Sequence, residues 1–301
     1  MELKMKSIKG MTLALLMLIA AMAGCIGTED ETTEEAEEEK AAFLDASDAG
    51  YTYASDVDNH RSLMQDLCDI KTAASDSNWD EAKNIYTNGK NAEKSDGSYR
   101  TLAGFAAAAG KNHNYDAFYG ADGSIGAHIM AAMDGTGDFA GASDTVRYQG
   151  IAKLTANMGM VGYTIHELNA AVAKADAGNT DNDSGAPHNW DEGWAFFHGP
   201  DEHWSCSPAY TMKKRAADYG TETDGVSNAL AASEQAMVDG LAALQAGDKA
   251  GYDAATETVV KNIIITYSQA TLKYTMKMDN NESAAKYQAE GYAFWKTMEA
   301  Y

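Results

Sequence analysis

Proline is nearly absent, with three in 301 residues, and cysteine is as rare. No two cysteines stand in a Cys-x-x-Cys spacing, which excludes thiolate zinc ribbons and iron–sulfur clusters. Basic residues are scarce: 23 Lys and Arg against 45 Asp and Glu, a formal net charge of −22. A chain this acidic repels phosphate backbones, so nucleic acid is excluded as a partner and cations are the natural small ones. No segment alternates polar and apolar residues as a half-buried strand would. A Gly-x-Ser-x-Gly elbow, a P-loop and a dinucleotide fingerprint are all missing. Few prolines and many alanines favour helices, and the expected fold class is all-α, a bundle of long antiparallel helices.

The one long apolar run, Met11 to Met22, follows Lys4, Lys6 and Lys9 and is too short for a membrane span. It ends in Met22-Ala23-Gly24-Cys25. Small residues before a Cys resemble a lipobox, so residues 1–24 read as a lipoprotein signal peptide and Cys25 as the lipidated residue. The plainer reading is an ordinary secretory signal with a chance Cys. A lipid on Cys25 would anchor the chain to the membrane without spanning it. Residues 29–40 hold eight acids and one Lys with no apolar period, so 25–44 read as a disordered acidic tether. A single domain should then occupy 45–301. Outside the cytoplasm Cys68 and Cys206 are a candidate disulfide, the alternative being two buried thiols.

In the body, Asp56 to Ala74 reads as a helix with Leu63, Leu67 and Ile70 on one face. Asn78 caps a helix from Trp79 to Asn88 that stops at Gly89. Residues 98–110 read as another helix, and 112–126 as a loop or short helices. Ser143 or Asp144 caps a long helix to about Ala177, whose apolar residues Ile151, Leu154, Met158, Val161, Ile165 and Leu168 step by three and four. A short helix starts at Asn189 or Asp191 and runs through Phe197. Further helices fit about 208–219, 226–246, 248–278 and 282–300. There is also an internal echo. Asp191-Glu192-Gly193-Trp194-Ala195-Phe196-Phe197 is matched by Ala289-Glu290-Gly291-Tyr292-Ala293-Phe294-Trp295, each after a long helix. A pseudo-repeat of two related halves would place the two segments in equivalent positions.

Chemistry concentrates in two places. Tyr163, His166 and Glu167 lie three and four residues apart, near one helix face, and offer phenolate, imidazole and carboxylate donors suited to ferric iron. The plainer reading packs His166 against a neighbouring helix and leaves Glu167 in water. From His188 to His203, acids and histidines are interleaved with Trp190, Trp194, Phe196, Phe197 and Trp204. The aromatics read as core, and His198 and His203 as surface residues. Glu192 buried among aromatics needs a cation or donors, and Glu290 raises the same demand; Arg147, Arg215 or Lys153 could supply it instead. His-Glu-x-x-His and Gly-x-His-x-x-Glu both fail around His166, so the chain reads as no enzyme.

Three blocks together resemble the Fe-assimilating or low-iron-inducible periplasmic protein family of algae, related to the phytotransferrins. They are Asp80 to Tyr86 with Gly89-Lys90-Asn91 and Arg100 to Ala106; Gly162-Tyr163-Thr164-Ile165-His166-Glu167-Leu168; and Trp190 to Gly199. The lipobox departs from the algal pattern and suggests a prokaryotic form. The resemblance implies a cell-surface role in iron uptake. The expected ligands are His166, Glu167, Glu192, Tyr163 and Glu290, for ferric iron with a carbonate-like anion held by Arg100 or Arg147. An uptake transporter is a candidate partner. The rival readings are a metal-free helical adhesion or scaffolding lipoprotein and, further off, a metal-dependent hydrolase.

Overall fold

The computed structural model describes residues 47–111, 113–279 and 282–301. The signal peptide, Cys25 and the tether lie outside the described residues. All described residues fall in one compact unit, Phe43–Tyr301. The order is β1 (Ser47–Asp48), β2 (Tyr51–Thr52), α1 (Asp58–Ser75), α2 (Trp79–Asn88), α3 (Ala103–Ala106), α4 (Asn114–Tyr119), α5 (Ser124–Asp134), α6 (Asp144–Lys153), α7 (Met160–Asp176), α8 (Ala186–Phe197), α9 (Pro208–Tyr219), β3 (Glu222–Thr223), β4 (Val226–Ser227), α10 (Asn228–Ala246), α11 (Lys249–Lys277) and α12 (Ala284–Met298). The fold is all-α, a helical bundle whose only strands, among the described residues, are two antiparallel two-residue hairpins.

Local chemistry sets the helix ends. Asn78 Oδ1 accepts from Glu81 N, and Gly89 closes α2 with φ +75°. The Ser143 side chain caps α6 through Val146 N. A π-helical segment, Leu154–Gly159, links α6 to α7, so the expected long helix runs on with one local widening. That widening turns Asn157 inward. Its Nδ2 donates to Lys153 O, and its Oδ1 accepts from Tyr267 and Thr211.

Three expectations need correction. Only Ala103–Ala106 of 98–110 is helical, and the segment 124–134, not singled out in the sequence, forms α5. Its ends are hidden by Gly123 and Gly135, both in the left-handed conformation. Helix α8 starts earlier than expected, at Ala186, because Pro187 suits a first turn whose N–H groups have no helical acceptor. His198 is buried, stacked between Trp194 and Trp204.

Helices α7 and α8 serve two cores. Ile165, Leu168, Trp190 and Trp194 join one with α10 and α11, while Tyr163 and Phe196 join the other with α1, α2 and α5. At Gly193 an added Cβ would stand 2.9 Å from Leu168 Cδ2, so α7 and α8 approach closely there. The glycine thereby brings the turns bearing Glu167 and Glu192 together. Cys68 on α1 and Cys206, just before α9, are joined as a disulfide. Both echo segments are helical and buried at their Glu-Gly steps, α8 lying on α7 and α12 on α11.

Candidate metal centre

Glu192 projects from α8 into an almost dry setting and is met by two imidazoles. His60, in the first turn of α1, brings Nε2 to 2.8 Å from Glu192 Oε1. His188, one turn before Glu192, brings Nε2 to 3.1 Å from the same oxygen. The His60 contact is close but outside hydrogen-bond geometry, and both ring nitrogens of this buried histidine lack a hydrogen-bond partner. Asn189 Nδ2 donates to Glu167 Oε2 at 2.5 Å and reaches Glu192 Oε2 at 3.4 Å, so the two carboxyl groups share one amide.

Tyr163 forms one wall. Its ring stacks between Phe105 and Phe196, with centroids 4.1 and 3.9 Å away. Its hydroxyl accepts from Arg100 Nη1, and Arg100 Nε donates to Asn59 Oδ1. Asp191 forms the base. Fully buried, it accepts from Tyr51 OH, from Ala54 N, and from both N and Oγ of Ser55. The Ser55 hydroxyl also lies 2.9 Å from His188 Nδ1. Its proton is committed to Asp191, so His188 Nδ1 must be the donor in that contact.

The protonation states follow. With Nδ1 donating and Nε2 facing a carboxylate, His188 carries both protons. The hydrogen bond to Glu192 raises its pKa, against the opposing effect of burial. Burial lowers His60 and keeps it neutral, although Glu192 pulls the other way. Burial also works against charge on Glu192, but the contacts with His188 and His60 outweigh it and hold this carboxyl well below the ordinary range. Glu167 is the opposite case: burial first, then the Glu192 charge, push it up to about 8. Burial raises Asp191 to about 6 despite its four hydrogen bonds, and raises Tyr163 to about 12 with Arg100 opposing. At neutral pH the cluster therefore holds an ionised Glu192, a protonated Glu167, one imidazolium and one neutral imidazole.

The family described as low iron-inducible periplasmic protein matches residues 14–298. The chain belongs to that family. Its place is thus extracytoplasmic, in keeping with the disulfide. No curated protein and no solved structure matches the chain.

The structure gathers some of the expected ligands of this family member and separates others. Tyr163, Glu167, Glu192 and Arg100 converge. His166 shares the helix of Tyr163 and Glu167 and packs against Phe105, 5.3 Å from that ring; burial lowers its pKa, with Lys111 and His113 adding to the effect and Glu192 opposing it. Glu290 lies in another cluster, near Lys153 and Tyr274. Arg147 is occupied elsewhere. It lies over Trp79 and donates to the carbonyls of Ala132 and Met133, closing the end of α5. Arg147, Arg215 and Lys153 are not the partners of Glu192; two histidines are. His188 could have been found in the sequence, since it stands four residues before Glu192 on a helix. His60 carried no such signal.

The raised Glu167 gives an expected pH profile. Between its ordinary 4.5 and about 8 the folded state holds a proton that the unfolded state has lost. Stability of the metal-free protein therefore falls as pH rises through that window. Glu167→Gln should flatten the profile and be the more stable form at pH 8 by at least about 1 kcal/mol. Urea melts of both proteins at pH 5, 6.5 and 8 check this; parallel profiles would place an ionised carboxylate at Glu167.

Proposed function

We propose that this protein is a lipid-anchored carrier that captures ferric iron at the cell surface for assimilation. The observation that carries the reading is the meeting of Glu167, Glu192, His60 and His188 with the Tyr163 phenol in a buried aromatic setting. Carboxylate, phenolate and neutral imidazole are the donors a ferric ion takes in such a place. A cation would resolve what the metal-free cluster leaves open: two carboxyl groups competing for charge, and a buried imidazole without a hydrogen bond. The contacts of 2.8 and 3.1 Å around Glu192 Oε1 also suit neighbouring donors on one ion, since two ligands ~2.1 Å from a metal at right angles stand ~3.0 Å apart. Arg100 is the group placed to receive a carbonate-like anion beside Tyr163.

One observation favours a second reading. Among the described residues no group of three or more His, Cys, Asp or Glu side chains stands ready-made to hold a metal. On the iron reading these side chains must turn from one another onto the ion, and at least Glu167 and His188 must release protons. On the other reading the cluster only ties α1, α7 and α8 together in a scaffolding lipoprotein.

Ferric titration of the purified protein separates the two. The iron reading expects one equivalent bound, a tyrosinate charge-transfer band, proton release, and affinity that rises with pH. No binding in competition with a chelator would leave the scaffold. The anchor is tested separately. No helix of the described residues is long and apolar enough to cross a membrane. Cys25→Ala should therefore move the protein from the membrane to the soluble fraction, because the acyl chains supply most of the insertion energy. A variant that still sediments with membranes would show another means of attachment.

A further inference from the structure

The second Glu-Gly-aromatic segment sits in surroundings of opposite sign to the first. In a chain with twice as many acids as bases, residues 261–278 contain no acid and three lysines, and α9 carries Lys213, Lys214 and Arg215 in a row. Helices α9 and α12 both pack on α11, and α12 also packs on α6.

Arg215 is 5% exposed. Its Nη2 donates to Asp218 Oδ2 at 2.9 Å, an aspartate that also takes Lys273 Nζ at 2.5 Å. Arg215 Nε and Nη1 are buried without any hydrogen-bond acceptor. The rings of Tyr274 and Phe294 lie 5.7 and 5.8 Å from the guanidinium carbon, and a ring face is no substitute for an oxygen in the plane of the N–H groups. Lys153, the last residue of α6, is half-buried nearby. Glu290 favours its charged form, while Lys71, Arg215 and Lys286 oppose it. Burial and those three cations lower the Lys153 pKa. Tyr274 lies beside the group, its ring against Arg215 and its pKa raised to about 12 by burial first and by Glu290 next.

We propose that Arg215, Lys153 and Tyr274 form a binding site for a small oxyanion of the phosphate or sulfate class, with Lys71 and Lys286 at its rim. Such an anion supplies acceptors to the two unpaired guanidinium N–H groups and to the Lys153 ammonium, and charge-assisted bonds of this kind are the strong ones. Glu290 remains the resident counter-ion of Lys153. The excess positive charge around Glu290 makes room for a second anion. No residue of this site belongs to the Glu192 cluster, so the inference does not rest on the iron reading.

The test is calorimetric titration of the metal-free full chain with inorganic phosphate, and separately with sulfate, against chloride at equal ionic strength. One saturable site is expected for at least one of the two oxyanions. Arg215→Gln and Lys153→Met should each weaken it at least 10-fold. Lys83→Gln, which breaks an exposed pair with Asp134, should not. Lys153→Met should melt no lower than the parent in the absence of the anion, since methionine fills the stem's place without a buried charge. A merely structural lysine would give the opposite. If Arg215→Gln fails to fold, the double variant Lys71→Gln/Lys286→Gln decides by the same 10-fold criterion. No saturable binding beyond chloride, or binding unchanged in the folded variants, overturns the proposal.

Discussion

Glu192→Gln should lower ferric affinity at least about 10-fold, which is 1.4 kcal/mol, and His60→Ala should do the same. The glutamate carries the one firmly ionised carboxyl of the cluster, with both imidazoles on a single oxygen. A neutral amide there keeps shape and volume but removes the charge that draws a trivalent ion. His60 is the side chain with least to lose by turning to a metal, because neither ring nitrogen is engaged in a hydrogen bond. Helix content should stay close to the parent in both variants, and competition against a chelator gives the affinities. Glu290→Gln serves as the contrast: its carboxyl lies by Lys153 and Tyr274, so ferric affinity should be unchanged. Equal losses at Glu192 and Glu290 would mean that the iron site is not the one built here.

Removing the Cys68–Cys206 bridge should cost about 2–5 kcal/mol of stability. The two residues are 138 apart in sequence, so the bridge closes a long loop and restricts the unfolded chain strongly. It also ties α1, which carries His60, to the segment that leads into α9. Cys68→Ser/Cys206→Ser should show its loss as a lower urea midpoint. Cys206 is 7% exposed and packs in the core with Phe105 and Phe196, so a serine there adds a small polar penalty. Cys206→Ala with Cys68→Ala separates the two effects. A midpoint unchanged in both double variants would show that the bridge does not contribute.

The long helices were legible because their apolar residues step by three and four over many turns, as from Ile151 to Leu168. Short helices were not, because Gly104, Gly123 and Gly126 blur any period. Gly126 is explained by tertiary contact, since an added Cβ would strike Ala107 at 2.7 Å, and Gly123 both by its left-handed backbone and by the same alanine at 2.9 Å. Half of the candidate site was legible for a similar reason. Glu167 and Glu192 stood out as acids among apolar neighbours. His60 lies in an ordinary polar-faced helix, and only folding brings it to a carboxylate far along the chain. Arg147 misled because a basic residue near a proposed site attracts an electrostatic role; its contacts are instead a helix end and an indole face. Glu290 shares a local sequence with Glu192 but not its neighbours, since those come from other elements.

The ties around Asp191 have a mechanical meaning. The chain upstream of residue 47 joins the body through the β1–β2 hairpin, and that hairpin is fastened to α8 by Tyr51, Ala54 and Ser55, all on Asp191. Ser55 also touches His188, and His188 touches Glu192. Tension applied through the N-terminal end would thus reach α8 through these contacts, the Ser55–His188 contact among them, before it reached α1. The Glu192 cluster lies on the strap through which the N-terminal segment joins the body.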